Sequence, residues 1–205
     1  MIKPSFLRLC LTAIATAAFA AGLHAAAFVG QPAPEFMLAD IKGALHTLSE
    51  LKGKTVVLEW VNPECPFVKK HYDQSGNIPA LQKTATADGV VWLSINSAAA
   101  GKQGDYDPVQ AGEWSKRIGA AATAYLRDKD GKVGKLYGAK TTPHIFIINA
   151  DGVLVYSGAI DSIRSADATD IAKAENYVTA ALADVKAGHP VVRPSTQPYG
   201  CSVKY

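Results

Sequence analysis

Two cysteines frame the chemistry open to this sequence. Cys65 lies in Asn62-Pro63-Glu64-Cys65-Pro66-Phe67-Val68-Lys69-Lys70-His71, just past the apolar run Thr55 to Val61. Pro66 suits the first position of a helix, which makes Cys65 the capping residue. Free backbone N–H groups and the positive end of the helix then face the sulfur, with Lys69, Lys70 and His71 adding charge nearby. All of these favour thiolate, the nucleophilic form, over thiol. Glu64 pulls the other way. Cys201 lies near the far end, in Pro198-Tyr199-Gly200-Cys201-Ser202. A resolving cysteine must reach the sulfenic acid formed at a reactive one, and an extended tail can fold back. The expectation is a Cys65–Cys201 disulfide, catalytic or structural; the alternatives are an inert tail thiol or pairing with another chain.

A third residue stands out because it breaks a pattern. Glu59 interrupts Thr55-Val56-Val57-Leu58-Glu59-Trp60-Val61, a run with the β-branched, near-continuous apolar character of a strand buried on both faces. Burying a carboxylate is costly and raises its pKa toward neutrality. Such a group can act as a general acid or base toward Cys65 through a water. The competing reading is a strand acid that reaches solvent or a lysine.

The remaining elements must hold these residues in place. Gly30 to Pro34 is a stiff lead-in, and Phe36 to Leu48 reads as a short hairpin. A helix starts at Pro66, and another runs from Ile78 to Ala87. Val90 to Asn96 is a second buried strand. Asp107-Pro108 pairs a cap with Pro at the first helical position, opening a helix to about Ile118. Thr123 to Leu126 forms a short strand, and Asp130 to Tyr137 a short helix stopped by Gly138. Ile145 to Ile148 and Val153 to Tyr156 flank Asn149-Ala150-Asp151-Gly152, an antiparallel hairpin. Apolar residues from Ile171 to Val185 recur at helical spacing, which predicts one helix from about Thr169 to Ala187. Trp60, Trp92 and Trp114 sit in apolar patterns and read as core. Alternating strands and helices followed by a hairpin imply an α/β domain over residues 28–188, with a central mixed sheet and helices on both faces. Pro190, Pro194 and Pro198 make residues 189–205 an extended tail, with Cys201 on its flexible end.

Composition narrows the function classes. With 48% hydrophobic and 19% charged residues the chain is too apolar for intrinsic disorder. A net charge of +3 without a Lys/Arg run longer than two argues against nucleic-acid binding. Three cysteines in 205 residues are too few for a disulfide-built scaffold. Residues 1–27 read as a secretory signal: Lys3 and Arg8 precede an apolar run from Leu9 to Leu23, and Ala25-Ala26-Ala27 offers a cleavage site. The run is shorter than the ~20 residues of a membrane span, which favours a secretory signal, with no stable membrane insertion after its removal, over the alternative of an uncleaved N-terminal anchor. Cleavage takes the charge from +3 to +1 and removes Cys10, leaving Cys65 and Cys201. The expected location is periplasmic or secreted, where two cysteines can pair or cycle.

The segment around Cys65 resembles the active-site region of the thioredoxin superfamily, in its redoxin branch of peroxiredoxins and peroxiredoxin-like proteins. Gln31-Pro32-Ala33-Pro34-Glu35-Phe36-Met37-Leu38 with Leu48-Ser49-Glu50-Leu51-Lys52-Gly53-Lys54 is similar to that branch's opening, and Asp151-Gly152 to its hairpin turn. The likeness spans roughly Gly30 to Gly188. It implies a thioredoxin-like fold with an N-terminal β-hairpin extension and a thiol oxidoreductase that reduces peroxides or protein disulfides. No organic cofactor is implied; electrons would come from an external thiol donor. Glu59 matches the buried acid that thioredoxins use as a proton carrier. Thr142-Pro143-His144 resembles the superfamily's cis-proline loop, which exposes backbone for substrate pairing beside the cysteine. Thr142, Pro143, Pro66 and Phe67 are thus the implied substrate-binding residues, and Cys65, Glu59, Asn62 and Cys201 the catalytic ones.

The departures are informative. Thioredoxins carry Cys-x-x-Cys, and here Val68 holds the second position. Peroxiredoxins place Pro and Thr where Leu58 and Asn62 stand. Asn62 retains the capacity to hydrogen-bond a peroxide. Arg127 and Arg164 are candidates for the peroxiredoxin arginine. Two rival functions remain. One is a copper carrier of the same fold using Cys65, His71 and His144; the other is a catalytically silent interaction module.

Overall fold

A computed structural model describes residues 26–205. The signal reading over residues 1–27 therefore falls almost wholly outside the described residues. No helix among the described residues is long and apolar enough to cross a membrane.

The centre is a five-stranded sheet ordered β5-β4-β3-β7-β8, with β3 (Val56–Trp60), β4 (Val91–Asn96), β5 (Ala124–Arg127), β7 (His144–Ile148) and β8 (Leu154–Gly158). β3, β4 and β5 run parallel, while β7 and β8 are antiparallel. Side-chain alternation along the strands sorts the core onto two faces. Val57, Ile145, Ile147 and Tyr156 face one side, with α1 (Pro66–Lys69), α2 (Asn77–Ala87), α3 (Pro108–Arg117) and α5 (Tyr177–Lys186). Val56, Leu58, Trp60 and Phe146 face the other, with α4 (Lys132–Tyr137) and the N-terminal segment around Phe36 and Leu48. The expected hairpin forms from β1 (Met37–Ala39) and β2 (Leu45–Thr47). This is the thioredoxin-like α/β arrangement implied by the sequence, with helices on both faces.

Local chemistry sets the element ends. Asp107 accepts from the Gln110 N–H while the Gln110 side chain accepts from the Asp107 N–H, a reciprocal cap closing α3. The expected helix from Thr169 to Ala187 is instead broken. A 3-10 segment occupies Ala168–Lys173, and α5 begins only at Tyr177. Asn176 ends the break by capping Thr179, because its side chain supplies the acceptor that the first helical amides lack.

The tail departs furthest from expectation. It is extended, as its prolines demand, but docked rather than free. Ser195 bridges to Ser157, and β9 (Cys201–Ser202) pairs antiparallel with β6 (Thr141–Thr142). The Thr196 hydroxyl accepts from the Ala159 N–H, on the inner side of a bend where Gly158 leaves room. The Ala99 N–H donates to the Lys204 carbonyl, and the Tyr205 hydroxyl to the Ala139 carbonyl. Chain without helical hydrogen bonds must satisfy its backbone elsewhere, and here the domain surface provides the partners.

Candidate active site

Cys65 caps α1 as expected, with extended backbone (φ −70°, ψ 126°) and Pro66 at the first helical position. The side chain is fully buried, and its thiol donates to the Thr142 carbonyl at 3.1 Å. Thr142 precedes Pro143 through a cis peptide bond. Across this small ladder Thr142 faces Cys201, which packs against the cluster that holds Cys65 and brings its thiol into that neighbourhood. Both thiols are free. Burial first, then the neighbouring Cys65, pushes the Cys201 thiol up to about 11. Gly200 makes the approach possible. It sits at φ +135°, and a Cβ there would lie 2.1 Å from the Thr142 oxygen. The tail thus places the second cysteine where a Cys-x-x-Cys motif would have used its own helix.

Glu59 lies on the α1–α2 face of β3 and is fully buried. It reaches neither solvent nor a lysine. Its carboxylate accepts from the Tyr72 hydroxyl and the Trp92 indole at 2.8 Å, Gln82 at 3.2 Å and Ser94 at 3.3 Å. Desolvation raises its pKa to about 7, against the lowering pull of these donors, Trp92 first. No cysteine is among its hydrogen-bond partners, so Glu59 and Cys65 share a core region rather than a direct bond.

Asn62 is buried beside the strand end, with both ends of its amide engaged. Its oxygen accepts from the Glu64 N–H at 2.9 Å and its NH₂ donates to the Gln103 carbonyl at 3.0 Å. It therefore holds the turn leading into Cys65 and ties that turn to the loop after β4. Phe67 packs edge-on against Tyr199 of the tail, ring centroids 5.8 Å apart.

Two of the positive side chains expected around the sulfur, Lys70 and His71, are otherwise employed, while Lys69 is exposed. After α1 the helix widens into a π turn over Lys70–Gln74, and the consecutive Lys70, His71 and Tyr72 are all buried. Lys70 lies 3.6 Å from Asp161 and donates to the Ile163 carbonyl. The His71 ring bonds Asn77 and the Tyr199 hydroxyl, and burial lowers its pKa to about 4. His71 is thus neutral at physiological pH and lends the cysteine no charge. His144 is buried in β7, where its Nδ1 accepts from the Lys140 N–H; desolvation lowers its pKa to about 3. These engagements point the two histidines at different partners. Among the described residues no three His, Cys, Asp or Glu side chains gather in a metal-holding group. Arg127 pairs with Asp105. Trp60, Trp92 and Trp114 are core, as read, but the sequence reading missed Trp92 as a donor to Glu59. It also missed Tyr72 and Gln82 around Glu59, and Asp161 and Tyr199 around Lys70. Nothing in periodicity marks these partners, since they meet only through tertiary packing.

The chain is similar to known proteins in sequence and in fold. The AhpC/TSA family model matches residues 29–157. The thiol-disulfide oxidoreductase ResA of Geobacillus thermodenitrificans is 28% identical over 131 residues, 60% of this chain and 65% of ResA. The thiol:disulfide interchange protein DsbE of Allochromatium vinosum is 29% identical over 138 residues, 65% of this chain and 69% of that protein. The match thus spans about two thirds of each relative's length. Among solved structures, a hypothetical protein of Sinorhizobium meliloti 1021 superposes with TM-score 0.73 at 26% identity, covering 87% of this chain and 94% of that one. An uncharacterized conserved protein of Geobacillus kaustophilus does so with TM-score 0.73 at 27% identity, covering 87% and 92%.

Proposed function

Since the chain belongs to the AhpC/TSA family, we propose that it is a thiol-disulfide oxidoreductase with Cys65 as nucleophile and Cys201 as the second redox thiol. The observation that carries this reading is the meeting of both cysteines at Thr142: the Cys65 thiol donates to the Thr142 carbonyl, and Cys201 pairs with Thr142 in the ladder. The names of the relatives, ResA and DsbE, support the same reaction class.

In this reading the Cys65 thiolate attacks one sulfur of a protein disulfide. The substrate S–S bond breaks, and the departing sulfur takes a proton. Cys201 then attacks the Cys65 sulfur of the mixed disulfide, releases the second substrate thiol and leaves a Cys65–Cys201 disulfide. Two electrons have passed from the protein's dithiol to the substrate, and an external thiol donor restores them. Thr142 and Pro143 present backbone to the incoming chain, with Pro66 and Phe67 lining the approach. Glu59, titrating near neutrality, serves as a buried proton store beneath the helix that carries Cys65.

Protein disulfides suit the site better than peroxide, because the Asn62 amide already spends both ends on backbone groups. Export completes the reading: the leader over residues 1–27 would deliver the domain to an oxidising compartment.

The test is disulfide trapping. Reduced protein poised in a glutathione couple should form one intramolecular Cys65–Cys201 disulfide, mapped by mass spectrometry. Cys201→Ser should instead accumulate a mixed disulfide at Cys65 with a disulfide-bearing protein. Absence of both products would overturn the reading.

A further inference from the structure

Tyr199 sits two residues before Cys201 and is buried in a cluster the redox reading does not use. Its hydroxyl donates to Asp161 Oδ1 at 2.5 Å. The Tyr199 hydroxyl oxygen accepts from Lys70 Nζ at 3.5 Å and meets His71 Nε2 at 3.2 Å. Asn77 Nδ2 approaches His71 Nδ1 at 3.0 Å, which leaves Nε2 as the donor to Tyr199. The second Asp161 oxygen has no hydrogen bond and lies 3.6 Å from Lys70 and 3.8 Å from His71. Lys70, His71 and Asp161 are all essentially inaccessible to solvent.

Isolated buried charge is expensive, and a buried ion pair seldom gains on an apolar substitute. This one sits where the tail needs a fixed point. Asp161 comes from the segment after β8 and Lys70 from the π turn beyond Cys65, so one tail hydroxyl joins two parts of the domain. On its far side the tail is seated by Tyr205, whose ring fills the notch that Gly131 and Gly134 leave open. Cys201 lies between the two tyrosines, paired with Thr142, whose carbonyl accepts from the Cys65 thiol.

We propose that Tyr199 is the positioning residue for the second redox thiol: gripped by Lys70, His71 and Asp161, it latches the tail over Cys65. The latch has two effects. It holds Cys201 at Cys65, raising the effective concentration of the resolving thiol. It also keeps Cys65 covered, so a substrate must displace the tail before reaching the sulfur. The assignment of Cys201 as resolving thiol rests on the redox reading above; the covering of Cys65 does not.

The experiment is the rate of iodoacetamide labelling at Cys65 in the reduced full-length protein, read by peptide mapping. Tyr199→Phe keeps the ring against Phe67 and removes only the hydroxyl. Loss of a hydrogen bond to a charged group should raise the labelling rate roughly tenfold, because labelling follows the fraction of open tail. Should Tyr199→Phe fail to melt cooperatively, the double variant Lys70→Met with Asp161→Leu removes both buried charges together and should show the same acceleration. Wild-type labelling rates in the folded variant would overturn the latch. Acceleration without any Cys65–Cys201 disulfide in the wild-type protein would leave the latch standing and sink the redox reading alone.

Discussion

Thr142 and Cys201 face each other across a two-residue antiparallel ladder, and the Thr142 carbonyl accepts the Cys65 thiol. One backbone carbonyl therefore sets the relation between two cysteines far apart in sequence.

Cys201 should be the late-titrating thiol of the pair. Its pKa is pushed up to about 11 by burial first and by the adjoining Cys65 second. Alkylation of Cys201 should therefore show a midpoint near 11 in the reduced protein and a lower one in Cys65→Ser. The residual elevation in that variant measures burial, offset by the lowering pull of Lys204 and of a backbone hydrogen bond. Equal midpoints in the two proteins would remove Cys65 as a cause.

Glu59 should make the fold more stable in mild acid than at neutral pH. Its folded pKa of about 7 lies above the ordinary 4.5, so the native state binds the extra proton between those values. The contribution is full below pH 4.5 and is lost as pH rises through about 7, amounting to about 3 kcal/mol. Buried His71 and His144 slope the opposite way: their neutral forms support the fold above pH 6.5, and that support is lost on acidification. The difference between wild type and Glu59→Gln isolates the carboxylate. Denaturant unfolding of both proteins from pH 4.5 to 8 should show their stability gap narrowing by that amount or reversing. Trp92→Phe, which removes the strongest donor to the carboxylate, should carry the Glu59 pKa above 7. Parallel stability curves for wild type and Glu59→Gln would refute the assignment.

Asn62 should matter for stability rather than for attack. Asn62→Ala removes its hydrogen bonds with the Glu64 N–H and the Gln103 carbonyl; Gln103 is exposed and Glu64 half-buried, so each loss costs about 0.5–1.5 kcal/mol. Thermal melting should fall accordingly, while the rate of Cys65 with a small disulfide changes little. A large rate loss with an unchanged melting temperature would return Asn62 to the role of orienting the oxidant.

How far these features were visible in the chain itself varies by residue. The β3 run, the Asp107-Pro108 cap and the Asn149 to Gly152 turn declared themselves, because strand periodicity, caps and turns depend on neighbours in sequence. Cys65 at a strand-to-helix junction was legible for the same reason. The buried character of Glu59 was readable from its setting, but not Tyr72, Gln82, Trp92 and Ser94 as its donors. The break near Asn176 escaped notice because the apolar spacing of Ile171 and Ala174 continues that of α5 even though the helix does not.

The sequence alone determined the alternation of strands and helices, the domain class and the place of Cys65 at a strand-to-helix junction. Local propensity and hydrophobic patterning suffice for that. Only the tertiary structure decided where the tail lies, that Lys70 and His71 face Asp161 and Tyr199 rather than lending the sulfur their charge, and that Cys201 rests against Cys65. Those outcomes depend on backbone pairing and burial between distant segments, and no local pattern encodes which distant partner a buried polar group will find.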